Sequence, residues 1–207
     1  MTPEVVLALF LAWGAGIDLY LTLLLIGIAG RTEWLQLPAS LSPVSSDWML
    51  GITAVLFLVE FVIDKIPHFD SSWDSWHTFI RVPAGAALAL AATLPTDGVM
   101  LPAAAALAGG TISLGAHGAK AAVRLALNTT PEPFTNWFVS LLEDLLLIGG
   151  YAMLADHPRL ALGLIAVTTL AAWFILWALK DIFWRLLRLP RPDELRRQTW
   201  SPRLHRQ

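Results

Sequence analysis

Long apolar runs dominate this chain, and short polar punctuation divides them. Six runs stand out, at about residues 5–30, 48–66, 70–95, 99–128, 134–155 and 158–187. Most reach about 20 residues, enough to cross a hydrocarbon core of roughly 30 Å as a helix. The breaks carry helix-stopping residues: Pro38 and Pro43 in the first loop, Pro67 after the second run, and Pro95-Thr96-Asp97-Gly98 as a turn. Pro131 and Pro133 separate the fourth and fifth runs, and Pro158 opens the sixth. Proline cannot continue a helix, so these positions predict the ends of elements. Trp34, Trp48, Trp137 and Trp184 fall near predicted ends, where interfacial tryptophans belong. The expectation is an all-α polytopic membrane protein with six transmembrane helices.

Composition sharpens this reading. The chain has 207 residues, of which 56% are hydrophobic and only 14% charged, against about a quarter charged in soluble domains. Mean hydropathy is +0.61. A net charge of -2 points to no nucleic-acid partner, and the absence of cysteine excludes disulfides and thiolate metal sites. The first charge is Glu4, with no basic region before the apolar run, so the N-terminus predicts a first span rather than a cleaved signal peptide. Residues 1–190 then form one transmembrane domain, and 191–207 a basic tail. Arg188, Arg191, Arg196, Arg197, Arg203 and Arg206 follow Leu187, and such a flank stays cytoplasmic. Six crossings would put the N-terminus on the same side, with Arg31 and Arg159 opposite. The expected partners are membrane lipid, an unidentified ion or small molecule, and a second copy of the chain as a homodimer.

Spacing also suggests a repeat. Arg31 is followed by Pro38, Pro43 and Ser46-Asp47-Trp48 at a helix start; Arg124 is followed by Pro131, Pro133 and Thr135-Asn136-Trp137 at another. Each arginine ends a glycine-rich helix. Halves of about 1–97 and 98–190, each with three helices, would insert with opposite topology, the plan of many secondary transporters.

Polar residues inside the runs are not scattered. In the fourth run, Gly110, Ser113, His117, Lys120, Arg124 and Asn128 recur every three or four residues and share one helix face. The third run repeats this with Asp70, Asp74, His77, Arg81 and Gly85. The second offers Glu60 and Asp64, with Lys65 beside them. The fifth offers Asn136, Ser140 and Glu143, with Asp144 adjacent, and the first offers Gly14, Asp18 and Thr22. A charge near the bilayer centre costs about 2.5–3.5 kcal/mol on the lenient insertion scale. These groups therefore face one another or water, carboxylates of the first, second and fifth runs against cations of the third and fourth. Asp64, Lys65 and Asp70 lie near the second turn, and Asp70 in particular is expected to be solvated or interfacial.

The candidate ion- or substrate-binding residues are Asp18, Glu60, Asp64, Lys65, Asp74, His77, Arg81, His117, Lys120, Arg124, Asn128, Glu143 and Asp144. His117 is the natural proton partner near neutral pH. His68 and His157 read as loop residues and His205 as part of the tail. No HExxH or close histidine pair marks a dedicated zinc site, a metal is left undecided, and no cofactor is implied. The leading expectation is a small secondary transporter or channel for an ion or polar metabolite, with proton coupling left open, in which the carboxylates bind a cation or protons. One alternative is a structural or accessory protein whose ion pairs hold helices in register. The other is an enzyme acting on lipid-linked phosphate, with His77, Arg81, His117, Lys120 and Arg124 as the cradle.

The stretches EFVIDKIPHFDSSWDSWHTFIRVPAGA, GAHGAKAAVRLALNTTPEPFTNW and SLLEDLLLIGG resemble the bacterial membrane family catalogued as domain of unknown function 4126, over Gly16 to about Leu187. The shared phrases are Asp64-Lys65-Ile66-Pro67, Trp73-Asp74, His77-Thr78, Arg81, Pro83-Ala84-Gly85, Gly115-Ala116-His117, Lys120 and Pro131-Glu132-Pro133. The resemblance implies the fold class, the inner membrane of a bacterium and the position of the site. It implies no substrate. More distantly, Glu60-Phe-Val-Ile-Asp64-Lys65 is loosely similar to the acidic helix motif of small cation exchangers built from two three-helix halves, an analogy only.

Overall fold

A computed structural model describes residues 2–66, 69–94, 96, 98–128 and 133–186, the side chains of 133 and of 181–186 excepted. Its elements are α1 (Pro3–Ile17), α2 (Leu19–Arg31), a short 3₁₀ helix (Ala39–Ser45), α3 (Asp47–Ile63), α4 (Phe69–Thr93), α5 (Met100–Leu127), α6 (Pro133–Asp156) and α7 (Pro158–Leu186). No strand occurs among the described residues. Pro158 opens α7 as its spacing predicts, while Pro43 lies inside the 3₁₀ helix.

Two helices satisfy the requirements for crossing a bilayer outright. Phe134–Asp156 and Pro158–Lys180 have mean hydropathies of 1.7 and 2.1, yet only 28% and 17% of their apolar windows are buried by the rest of the protein. The 3₁₀ helix with α3 makes a third candidate, bent by 64°. Large apolar side chains such as Phe79, Trp76, Phe138 and Leu170 are also exposed. So much apolar surface on the outside of a helical bundle needs lipid rather than water. Trp34, Trp48 and Trp137 are exposed near helix ends, as interfacial anchors should be. Trp184, Pro67, His68, Pro95, Pro131 and the basic tail lie outside the described residues or side chains.

The centre of the bundle is α1 packed against α4 and α5, which also pack extensively on each other. Small residues permit this. A Cβ on Gly16 would meet the Ser113 carbonyl oxygen at 2.5 Å and Ala116 Cβ at 2.8 Å. One on Gly85 would meet Ser113 Cβ at 2.5 Å. Small interfacial residues let helix backbones approach where lipid supplies no hydrophobic drive between helices.

The first predicted span, 5–30, is not one helix. α1 stops at Ile17, Asp18 is extended (φ -146°, ψ 108°), and α2 begins at Leu19. Gly14 and Thr22 then lie in contact: a Cβ on Gly14 would sit 2.6 Å from Thr22 Oγ1. A straight helix would separate them by about 12 Å along its axis. Phe10 packs on Tyr151 (centroids 4.7 Å apart) and Gly14 on Leu147, so α1 runs antiparallel to α6. Val6 and Leu7 of α1, Leu35 and Leu37 after α2, and Leu154 at the end of α6 line one cavity of about 560 Å³. α1 and α2 are therefore a V-shaped hairpin whose arms both open at one end of the bundle and whose tip is Asp18. The sequence expectation of a single crossing fails here, because an aspartate that caps a new helix can interrupt an apolar run. The two expected halves consequently differ at their first helix: α1 and α2 double back where α5 runs unbroken for 28 residues.

Candidate functional site

The hairpin tip meets the polar stripes of α4 and α5. The backbone break leaves the last carbonyls of α1 without helical partners. Ile17 O accepts from Arg81 Nη1 at 2.9 Å and from Lys120 Nζ at 3.1 Å, and Gly16 O lies 3.5 Å from Arg81 Nη1. Cations at the C-terminal end of a helix are also favoured by its dipole. On the other side of the break, Asp18 Oδ1 accepts from Leu21 N at 2.8 Å and caps α2. One residue thus ends one helix and starts the next inside the protein, buried to 2% exposure.

The helical spacing of the stripes sets the rest. Glu60 in the last turn of α3 and Asp64, which caps its end, face Arg81 of α4 and Lys120 and Arg124 of α5. Arg81 Nη2 pairs with Glu60 Oε1, and both side chains are fully buried. Arg81 Nη1 lies 3.6 Å from Asp74 Oδ1. Arg124 Nη2 pairs with Glu143 Oε2 of α6 at 2.7 Å and lies 3.5 Å from Asp64 Oδ2. Lys120 Nζ stands between these two groups, 2.7 Å from Asp64 Oδ2, 3.5 Å from Glu60 Oε1 and 3.7 Å from Glu143 Oε2. Ser113 closes the inner end by donating to the Arg81 carbonyl at 2.9 Å.

Hydrogen-bond geometry places a proton on one ring nitrogen of each histidine. Arg81 Nη1 lies 3.2 Å from His117 Nδ1. A guanidinium only donates, so Nδ1 carries no proton and the ring is neutral. The proton is on Nε2, 3.0 Å from the Asp74 carbonyl, with the Thr78 hydroxyl at 2.8 Å. In this arrangement His117 is an acceptor for Arg81. His77 stacks on Trp73 at 4.2 Å. Its Nδ1 lies 2.9 Å from the Trp73 carbonyl, which only accepts, so Nδ1 holds a proton, and Nε2 lies 3.1 Å from the Tyr20 hydroxyl of α2.

Asp70 contradicts its sequence expectation. It is fully buried rather than solvated. Oδ1 accepts from Asn128 Nδ2 at 2.7 Å and from the Ser71 amide at 2.5 Å, and Oδ2 from Asn136 Nδ2 at 3.2 Å. Asn136 Nδ2 also donates to Asn128 Oδ1 at 3.0 Å. The two asparagines come from the facing ends of α5 and α6, and helix pairing turns a residue beside a loop into an interior one. Asp70→Ala should lower stability by about 1–3 kcal/mol, the cost of leaving buried amides unsatisfied, whereas loss of a solvated carboxylate would change it by under about 0.5 kcal/mol. Thermal unfolding in detergent separates the two.

Most of the expected residues converge. Asp18, Glu60, Asp64, Asp74, His77, Arg81, His117, Lys120, Arg124, Asn128 and Glu143 occupy this one interior. Lys65 and Asp144 stand at its margin. Lys65 Nζ donates to the Phe61 carbonyl at 2.9 Å, lies over the Phe61 ring and is 3.4 Å from Ser140 Oγ. Asp144 makes no ion pair with Arg81, Lys120 or Arg124. Sequence reasoning missed the backbone at Gly16 and Ile17, Tyr20, and the interior place of Asp70. A signal existed for the first: an aspartate inside an apolar run is a good N-cap.

The interior is rich in acceptors. Glu60, Asp64, Asp74 and Glu143 pair with Arg81, Lys120 and Arg124, and Asp18 and Asp70 are buried with no ion pair among the described residues, so six interior carboxylates stand against the three cations. Both oxygens of Asp74, Glu60 Oε2 and Asp64 Oδ1 are buried without a hydrogen-bond donor among the described residues. Buried negative charge in such excess must be balanced by protons or bound cations. Among the described residues, no group of three or more histidines and carboxylates is placed to hold a metal ion.

The family profile described as Domain of unknown function (DUF4126) matches residues 5–178, so it takes in every helix that builds this interior. No curated protein and no solved structure matches the chain.

Proposed function

Because this chain belongs to the DUF4126 family, whose description names no activity, its function has to be read from the site, and we propose a small secondary transporter that moves a cation or proton through its buried interior. One observation carries the reading: a helix broken at an acidic residue in the middle of an acceptor-rich, membrane-buried interior. Irregular backbone at membrane depth is tolerated where it is enclosed by protein or lines a cavity, and broken helices are where transporters place their ion sites. The excess of carboxylates argues for a cation. Every buried arginine and lysine in the site already has carboxylate partners. That leaves little for the phosphate cradle of a lipid-phosphate enzyme.

In this reading α3 to α7 cross the membrane and the hairpin is re-entrant. Pro3 and the end of α7 then lie on opposite sides, because an odd number of crossings separates them. The positive-inside tendency of the arginine-rich tail supports a cytoplasmic α7 end in a bacterial inner membrane, and with it an outside N-terminus, where the six-crossing expectation has it inside. The inverted repeat becomes a diverged one, with the hairpin standing where α5 stands in the second half.

Asp18 is the sharpest test. Asn caps a helix about as well as Asp, so Asp18→Asn should keep stability within about 0.5 kcal/mol and the fold intact. It should lower cation or proton flux into proteoliposomes at least tenfold. Unchanged flux of every tested ion in Asp18→Asn, Glu60→Gln and Glu143→Gln would sink the proposal. A structural reading also has a specific observation behind it, since the ion pairs tie α3, α4, α5 and α6 together. It requires that no ion alters the protein's stability at constant ionic strength.

A further inference from the structure

Lys120 occupies a position that reads as a binding site in its own right. Its ammonium is surrounded by four oxygens from three directions: Ile17 O at the end of α1 (3.1 Å), Glu60 Oε1 (3.5 Å) and Asp64 Oδ2 (2.7 Å) on α3, and Glu143 Oε2 (3.7 Å) on α6. Lys120 itself is 5% exposed. The second oxygen of Glu60 and that of Asp64 are buried with no donor among the described residues. These two carboxylates therefore keep acceptor capacity that Lys120 and the neighbouring arginines do not use.

The spacing selects the kind of cation. Charge-assisted N–H···O contacts run at about 2.7–2.9 Å, and the two nearest oxygens lie close to that range. Divalent metals need roughly 2.0–2.6 Å, closer than any oxygen of this ring. Three carboxylates and one helix-end carbonyl also favour a donor with several N–H groups, since an ammonium offers three or four.

We propose that this seat is a binding site for an ammonium-type cation, ammonium itself or a protonated primary amine, and that Lys120 is its tethered competitor. The proposal rests on the transport reading above and names the cation class for it. In the resting arrangement the lysine neutralises the seat. When Lys120 withdraws along α5, a free cation of the same chemistry takes its place between the hairpin tip, α3 and α6. The exchange needs no covalent step, only one ammonium replacing another.

Removing the tether tests this. Lys120→Ala leaves Glu60, Asp64 and Glu143 around a space of ammonium size, so the purified variant should unfold at a lower temperature than wild type. Ammonium or methylammonium chloride should raise its Tm in a concentration-dependent way, as a ligand specific for the folded state does. Sodium and tetramethylammonium chloride at the same ionic strength should not, because the first is too small and the second has no N–H. The response should vanish in Lys120→Ala/Asp64→Asn. Equal effects of all four salts would mean screening alone and would overturn the proposal. If Lys120→Ala is not recovered folded, membranes solubilised in ammonium chloride and in sodium chloride provide the same comparison. Monodisperse protein from ammonium alone supports the seat, and equal loss in both overturns it. Failure of rescue with intact wild-type flux removes the seat and leaves the transporter; rescue without any wild-type flux keeps the seat and removes transport.

Discussion

Arg81→Met should be the most damaging single substitution in this protein, lowering stability by about 3–5 kcal/mol, as loss of one partner of a buried ion pair does. Arg81 is fully buried and serves more groups than any other side chain in the interior. It pairs with Glu60, approaches Asp74, donates to His117 Nδ1 and holds the Ile17 carbonyl at the hairpin tip. Without it, Glu60 keeps only Lys120, at 3.5 Å, and Asp74 keeps no cation within an ion-pair distance. The carbonyl end of α1 loses its closest donor. Methionine fills similar volume, so the loss is electrostatic rather than a cavity. Thermal unfolding in detergent and the yield of monodisperse protein measure it. Glu60→Gln/Arg81→Met should recover part of the loss, because it removes the carboxylate left without its arginine. A double variant as unstable as the sum of its singles would show that the pair is not coupled.

Gly16→Val comes next, and it links packing to function. A valine Cβ would meet the backbone of α5 at Ser113 and the Ala116 methyl well inside contact distance. Backbone cannot rotate away as a side chain can, so α1 has to move. Overpacking of this kind costs about 1–3 kcal/mol. The more telling consequence is positional. Gly16 and Ile17 carry the carbonyls that hold Arg81 and Lys120, so a shift of α1 away from α5 withdraws them from both cations. Flux should fall by an order of magnitude or more in folded Gly16→Val protein, while Gly51→Ala, where a Cβ meets nothing within 4 Å, should leave both flux and Tm unchanged. Full flux in a folded Gly16→Val would show that the tip carbonyls are not part of the transport site.

Much of the site was legible from spacing alone. Residues three and four apart share a helix face whatever the fold, so the stripes of α4 and α5 identify themselves. The cost of charge in hydrocarbon then forces the stripes to face each other. Spacing and transfer cost together suffice to group Arg81, Lys120 and Arg124 with Glu60, Asp64, Asp74 and Glu143. They fail where position along a helix is a poor guide to depth. Asp70 looks interfacial because a turn precedes it, yet two asparagines from other helices enclose it. Lys65 and Asp144 look equivalent to their neighbours, but sit one step around the helix and face the margin.

The sequence by itself determined that the protein is helical, that its outer surface needs lipid, and that its charges share an interior. Those properties follow from local periodicity and from transfer energies that each residue carries with it. Only the tertiary structure decided that the first apolar run doubles back at Asp18, that His117 is neutral beneath Arg81, and that Lys120 rather than another cation fills the four-oxygen seat. Each of these depends on which backbone and side-chain atoms from distant segments meet. A run of apolar residues is equally consistent with a straight helix and a hairpin, until α4, α5 and α6 supply the partners that hold the break open.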